Sequence, residues 1–230
     1  MGDSFVAGLG AADPARRFPD VLQKLLGARW VVVNIAMNGW NTANELEALE
    51  KYPYSPEIVI LSYYVNDIEG AAWKAGVQRP VVIEAPNGWL GELVSRSYLV
   101  NFVYWRLYRF RNAAEMTRIY SDYIRECYAN DQIWNLHVAE LQSFINFTRD
   151  RKVKLVVLVI PDLTDVAGSR PITKKVASFF LNSHIPVIDL TDQLAGRDVP
   201  QLVANPFDAH PSENLHREIA TVLFEKVHTL

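Results

Sequence analysis

The chain predicts an α/β fold with a central parallel sheet in a three-layer α/β/α arrangement, and three observations carry that prediction. Continuous aliphatic runs stand at Trp30-Val31-Val32-Val33-Asn34-Ile35-Ala36, Ile58-Val59-Ile60-Leu61-Ser62-Tyr63-Tyr64 and Leu155-Val156-Val157-Leu158-Val159-Ile160-Pro161. A fourth, shorter one is Pro186-Val187-Ile188-Asp189-Leu190. Runs without polar alternation are what strands covered on both faces look like. Stretches with helical spacing separate them, and strands alternating with helices join in parallel through right-handed crossovers. Finally, 230 residues, half of them hydrophobic, are enough to bury a full core, so residues 1–230 read as a single domain.

Composition excludes several classes of function. A formal charge of -3 offers no basic footprint, so nucleic acid is not the expected partner. Cys127 is the only cysteine, which rules out an internal disulfide, and no CxxC or Cys/His cluster is present for a structural zinc. Clustered His/Asp/Glu ligands are missing apart from Asp208 and His210, so a metal-dependent hydrolase is disfavoured and neither metal nor cofactor is expected. No apolar run is long enough to span a bilayer.

Taken in order, Met1-Gly2-Asp3-Ser4-Phe5 forms a small-acidic-nucleophile turn. Gly8 and Gly10 make a lone GxG, weak evidence for a dinucleotide loop. Phe18-Pro19 starts a helix that carries Val21, Leu22, Leu25 and Leu26 before Gly27 stops it. The strand at 30–36 ends in an Asn38-Gly39 turn, where glycine lets a backbone N–H approach a ligand. Thr42-Ala43-Asn44-Glu45 reads as a capping box for the next helix. At the carboxyl end of the 58–64 strand stand Asn66 and Asp67, where ligands of open α/β sheets bind.

From Val81 to Arg151 the pattern changes to a mainly helical, aromatic-rich insertion. Its segment from Tyr98 to Phe110 packs aromatics and arginines together and admits three readings: a lid or acyl pocket, an interfacial helix, or a buried helix. Aromatic stripes at helical spacing are usually core, which favours the last. Asp131 to Arg151 follows as one amphipathic helix on which His137 is a structural histidine, and a further helix is expected from Pro171 to Asn182. Pro211 and Ser212 open a terminal helix with Leu215, Ile219, Val222, Leu223 and Val227 inward, and with His216 and His228 in structural roles.

Asn205-Pro206-Phe207-Asp208-Ala209-His210-Pro211 places a carboxylate and an imidazole two positions apart just before that helix. With the turn at Ser4, the Asn38-Gly39 turn and Asn66, the chain holds a hydroxyl, a base, an acid and oxyanion donors, the inventory of acyl transfer.

These four pieces, in this order and over nearly the whole chain, resemble the SGNH hydrolase family, also called GDSL esterases and lipases. The resemblance implies a flavodoxin-like fold and an ester hydrolase. Ser4 is then the nucleophile, His210 the base and Asp208 the acid that orients it. The oxyanion hole consists of the backbone N–H groups of Ser4 and Gly39 and the Asn66 side-chain amide. The family more often has glycine where Tyr64 stands, so Tyr64 and its neighbour Asp67 are expected to shape the substrate pocket. In the common pattern the acid lies three residues before the histidine, where this chain has Phe207; a closer spacing followed by His-Pro-Ser also occurs. A strand normally precedes the nucleophile turn, and here only Met1 does, so the resemblance implies a sheet without its first strand. The implied partner is a small-molecule acyl ester or O-acetyl group. An O-acyltransferase, or an inactive binding protein on a shortened scaffold, is the alternative.

Overall fold

The computed structural model describes residues 1–80, 83, 85–206 and 208–229. Val81, the expected start of the insertion, and Phe207, in the acid's usual place, lie outside the described residues. The helices are α1 (Ser4–Ala7), α2 (Phe18–Leu26), α3 (Thr42–Glu50), α4 (Glu69–Lys74), α5 (Gly88–Arg96), α6 (Tyr98–Ala129), α7 (Asp131–Asp150), α8 (Val166–Asn182), α9 (Thr191–Leu194), α10 (Val199–Leu202) and α11 (Glu213–His228). The strands are β1 (Ile58–Tyr64), β2 (Lys154–Ile160), β3 (Val187–Asp189), β4 (Val203–Asn205) and β5 (Asp208–Pro211).

The main sheet is parallel in the order β1-β2-β3. Ile58 pairs with Lys154 and Tyr64 with Ile160, while Val157 pairs with Val187. Leu155 to Ile160 are buried without interruption. Successive strand residues point to opposite faces, so an unbroken buried run means that both faces are covered. Helix α7 packs against β2, α3 and α4; α8 packs against β2 and β3; and α2 packs on α11. A second, two-stranded antiparallel sheet pairs β4 with β5.

The run Trp30–Ala36, expected as a strand, does not form a ladder. Among the described residues its only rung is the parallel bridge between Gly2 and Ala36. A strand needs a neighbour to take its backbone groups, and here a side chain serves instead. Gln23 donates to the Trp30 carbonyl at 2.9 Å and accepts from the Val32 N–H at 2.7 Å. Between this segment and β1 lies an apolar groove of about 280 Å³, lined among others by Leu22, Val33, Ile58, Ile60 and Leu223.

Three further expectations shift. The N-cap of α3 is Asn41, one residue before the expected box: its Oδ1 accepts from the N–H groups of Ala43 and Asn44, and Asn44 Oδ1 accepts from Asn41 N–H. Helix α8 begins a turn before Pro171 because Asp165 caps it by accepting from Gly168 N–H at 2.9 Å. The stripe from Tyr98 to Phe110 is exposed where burial was expected, since only the last part of α6, from Tyr123 to Tyr128, carries fully buried side chains. A helical stripe is buried only as far as other elements reach it.

That inner end of α6 is tied to the sheet through polar groups. The Tyr63 hydroxyl, fully buried on β1, hydrogen-bonds both the Tyr128 hydroxyl and His137 Nε2, the latter at 2.7 Å. His137 Nδ1 meets Glu140 Oε2 at 3.0 Å, and Lys74 donates to Glu140 Oε1 at 2.8 Å. His137 is thus a satisfied structural histidine whose pKa burial lowers. Removing one partner from a buried pair exposes the desolvation penalty of the other. Tyr63→Phe, which leaves both Tyr128 and His137 short of a partner, is therefore expected to lower unfolding stability by roughly 1–3 kcal/mol in urea titrations, with an unchanged midpoint contradicting the assignment.

Candidate active site

The site is assembled where the start of the chain enters the sheet. The Met1 amine donates to the Ile60 carbonyl at 2.7 Å, and Ser62 N–H donates to the Met1 carbonyl at 2.9 Å. On the other side Gly2 N–H donates to the Ile35 carbonyl at 3.2 Å. Met1 and Gly2 therefore lie as two rungs between β1 and the 30–36 segment. A Cβ on Gly2 would stand 2.4 Å from Val6 Cγ2 and 3.0 Å from the Ser62 carbonyl oxygen, so no other residue fits. The chain then turns into α1, whose N-cap is Asp3: its carboxylate accepts from Phe5 N–H at 2.9 Å. This leaves Ser4 in the first turn, where backbone N–H groups have no partner inside the helix.

Ser4 Oγ lies 2.9 Å from His210 Nε2 and 3.4 Å from Asp3 Oδ2. The other imidazole nitrogen, His210 Nδ1, is 2.5 Å from Asp208 Oδ1, which also accepts from the His210 backbone N–H at 3.0 Å. Burial works against the Asp208 charge, but the two bonds from His210 outweigh it and hold this carboxyl below the usual carboxylate range. His210 stands on β5, and pairing with β4 fixes the backbone that aims the ring. Serine, histidine and aspartate thus form one hydrogen-bonded line across 206 residues of sequence.

Asn66 lies in the single 3-10 turn Val65–Ile68 that leaves β1. Its Nδ2 donates to Asp3 Oδ2 at 3.2 Å. The opposite amide orientation would set an oxygen against a carboxylate, so this contact fixes which way the amide points. Gly39, by contrast, is exposed on the turn that Trp40 N–H closes onto the Met37 carbonyl, and it makes no hydrogen bond to Ser4, Asn66 or His210 among the described residues. Its φ of +79° is one that glycine adopts readily.

The two residues expected in the pocket are placed differently. Tyr64 is buried, stacked on Phe5 with ring centroids 4.1 Å apart, and Phe5 in turn lies 5.4 Å from the His210 ring. Asp67 has no exposed surface: its Oδ2 accepts from Tyr64 N–H at 3.1 Å, closing the turn that carries Asn66. It supports the site from beneath and cannot touch a ligand.

A model of the GDSL-like Lipase/Acylhydrolase family matches residues 1–218. The chain belongs to that family. It is an SGNH-type ester hydrolase with the α/β/α fold. Among solved structures, a carbohydrate acetylesterase family member from Sinorhizobium meliloti is similar over all of this chain and 95% of its own, at 14% identity and a TM-score of 0.52. The native aryl esterase of M. smegmatis is similar over all of this chain and 97% of its own, at 14% identity and a TM-score of 0.52. Its inhibitor-bound form gives 15% identity and a TM-score of 0.53, again with 97% of that chain covered. At these identities the likeness is one of fold. A comparison with curated protein sequences finds no match.

Sequence reasoning took Asp67 only as a pocket residue and passed over Asp3 and Glu45, the other two carboxyl groups beneath the candidate site. Asp3, Glu45 and Asp67 are all buried, and both oxygens of Glu45 and Oδ1 of Asp67 have no partner among the described residues. Burial is the main cause that raises all three pKa values; repulsion from Asp3 adds to it at Glu45, and repulsion from Glu45 and Asp3 adds to it at Asp67. Glu45 is pushed up to about 8 from an ordinary value of 4.5. The folded protein therefore keeps a proton on Glu45 that the unfolded chain releases, and stability falls as pH rises through this interval. Glu45→Gln removes that dependence. Its stability in urea, relative to the parent, is expected to increase steadily between about pH 5 and pH 8; a difference independent of pH would show that Glu45 does not carry the proton.

Proposed function

We propose that this ester hydrolase works through Ser4, His210 and Asp208 on a small acyl ester or O-acetyl group. The observation that carries the reading is the continuous line from Ser4 Oγ to His210 Nε2 at 2.9 Å and from His210 Nδ1 to Asp208 Oδ1 at 2.5 Å. Nucleophile, base and orienting acid are each within hydrogen-bond reach of the next, the geometry that activates an otherwise weak hydroxyl.

His210 takes the Ser4 proton as Oγ attacks the ester carbonyl. The Asp208 carboxylate, whose pKa the His210 bonds hold below its ordinary value, keeps Nδ1–H in place and stabilises the imidazolium that forms. The negative charge that develops on the carbonyl oxygen is met by the Ser4 N–H in the first turn of α1 and by the remaining N–H of the Asn66 amide. Gly39, on its exposed turn, is the third donor of this proposal. Collapse of the intermediate returns the proton from His210 to the leaving alcohol. Water, deprotonated by His210, then releases the acyl group and regenerates Ser4. The stacked rings of Phe5 and Tyr64 beside a buried Ser4 leave little room, which favours a small acyl group. The two neighbouring structures, described as a carbohydrate acetylesterase and an aryl esterase, accord with that size class.

A fluorophosphonate probe is expected to label the protein on Ser4, with no labelling of Ser4→Ala and strongly slowed labelling of His210→Ala; modification elsewhere, or equal labelling of all three, overturns the assignment. Asn66→Ala is expected to lower kcat on the order of a hundredfold with little change in KM, as for loss of an oxyanion donor. A purely structural Asn66 would instead lower the unfolding midpoint and leave kcat of the folded fraction intact.

A further inference from the structure

Helices α5 and α6 pack on each other and together carry a cluster of exposed large hydrophobic side chains. Trp89 is 76% exposed, Tyr98 97% and Phe110 71%, and Leu99, Phe102 and Leu107 are exposed with them. Soluble proteins seldom leave large aromatic patches uncovered without a use for them. Each helical residue advances by about 100°, which puts Tyr98, Leu99, Phe102, Val103, Leu107 and Phe110 on one half of α6. Arg106 and Arg109 fall on that same half; Arg111 falls on the other, between Val100 and Tyr104, and is exposed. The opposite half, with Val100, Tyr104, Trp105 and Tyr108, is partly covered.

Charge decides what this face fits. Arg96, Arg106, Arg109 and Arg111 lie in a stretch from Leu93 to Ala114 that contains no Asp or Glu, in a chain whose net charge is -3. Arg96 pairs with Glu92 at 2.9 Å, and Arg106 lies over the Phe102 ring at 5.3 Å. Arg109 and Arg111 have no ion pair among the described residues. A second copy seated on the same face would bring like charges together. An anionic surface would neutralise them. Aromatic and aliphatic side chains interleaved with arginines on one helical face are the composition that settles at the headgroup boundary of a bilayer. No described helix is long and apolar enough to cross a membrane, so the contact is one of lying on the surface.

We propose that the outward face of α6, with Trp89 of α5 beside it, docks on anionic lipid bilayers. The docking is independent of the ester chemistry assigned to Ser4. The same helix continues inward to Tyr123 and Ile124, and α6 packs against the turn that carries Asn66, so a docked arm holds the body at a fixed place relative to the lipid.

The test is co-sedimentation of the full chain with vesicles of phosphatidylcholine alone and of phosphatidylcholine mixed with phosphatidylglycerol, at low and high salt. Binding is expected to the mixed vesicles only, to weaken with salt, and to shift tryptophan emission to the blue. Replacing three arginines, Arg106→Glu, Arg109→Glu and Arg111→Glu together, is expected to weaken binding by on the order of a hundredfold or more. Phe102→Ser with Phe110→Ser is expected to remove the blue shift; circular dichroism checks that both variants fold. Absence of binding to the mixed vesicles, or binding that the arginine replacements leave unchanged, overturns the proposal. So does a dimer in sedimentation equilibrium that Phe102→Ser with Phe110→Ser dissolves while vesicles are ignored, since the face is then an interface between copies.

Discussion

Three backbone hydrogen bonds at the start of the chain determine where everything chemical stands. Met1 is held to Ile60 and Ser62 on one side, and Gly2 to Ile35 on the other. The pair is thereby clamped in the plane of the sheet beside the middle of β1. From that clamp a single residue, Asp3, leads to Ser4, so the serine has almost no freedom of position. Asp3 uses the remaining freedom: it caps α1, accepts from Asn66 and touches Ser4. A side chain that caps one element and anchors the amide of another makes the separation of Ser4 and Asn66 a property of the backbone. The second fixed point is the β4-β5 hairpin, which presents His210 without relying on a free loop.

The cost of this construction is electrostatic. Asp3 caps from a buried position, Asp67 closes the turn of Asn66 from a buried position, and Glu45 lies near both. Carboxyl groups excluded from water and close to one another resist ionisation. The pKa values of all three are raised, that of Glu45 to about 8, which makes the region beneath the site sensitive to pH, while Asp208, bonded twice by His210, is held below its ordinary range. The site thus separates acids that shape the backbone from the one acid that faces the imidazole.

Much of this was legible in the residues. The strands at β1 and β2 announce themselves because strands covered on both faces read as unbroken aliphatic runs. The Ser4, Asn66, Asp208 and His210 set was readable because each is a chemically distinctive residue beside a turn or a helix start. The run Trp30–Ala36 read the same way as β1, yet pairing is a property of neighbours, and Gln23 takes the place of one. The exposed α6 face was misread for a related reason: a stripe at helical spacing records which side is apolar, not whether anything covers it. Asp3 and Glu45 were passed over because capping and burial depend on where α1 and α3 begin, and the start of α3 lies one residue earlier than the motif suggests. His210 needed the β4-β5 pairing, a backbone arrangement that a two-residue spacing to Asp208 does not contain.

The central claim is that the line from Asp208 through His210 to Ser4 performs ester hydrolysis. It is tested most directly by steady-state hydrolysis of p-nitrophenyl acetate by the purified chain and by a Ser4→Ala variant with the same circular dichroism spectrum. Turnover in the parent that falls to the background rate in the variant is the predicted result. Equal turnover in both would mean that the hydroxyl at Ser4 is not the nucleophile, and the account built on it would be wrong.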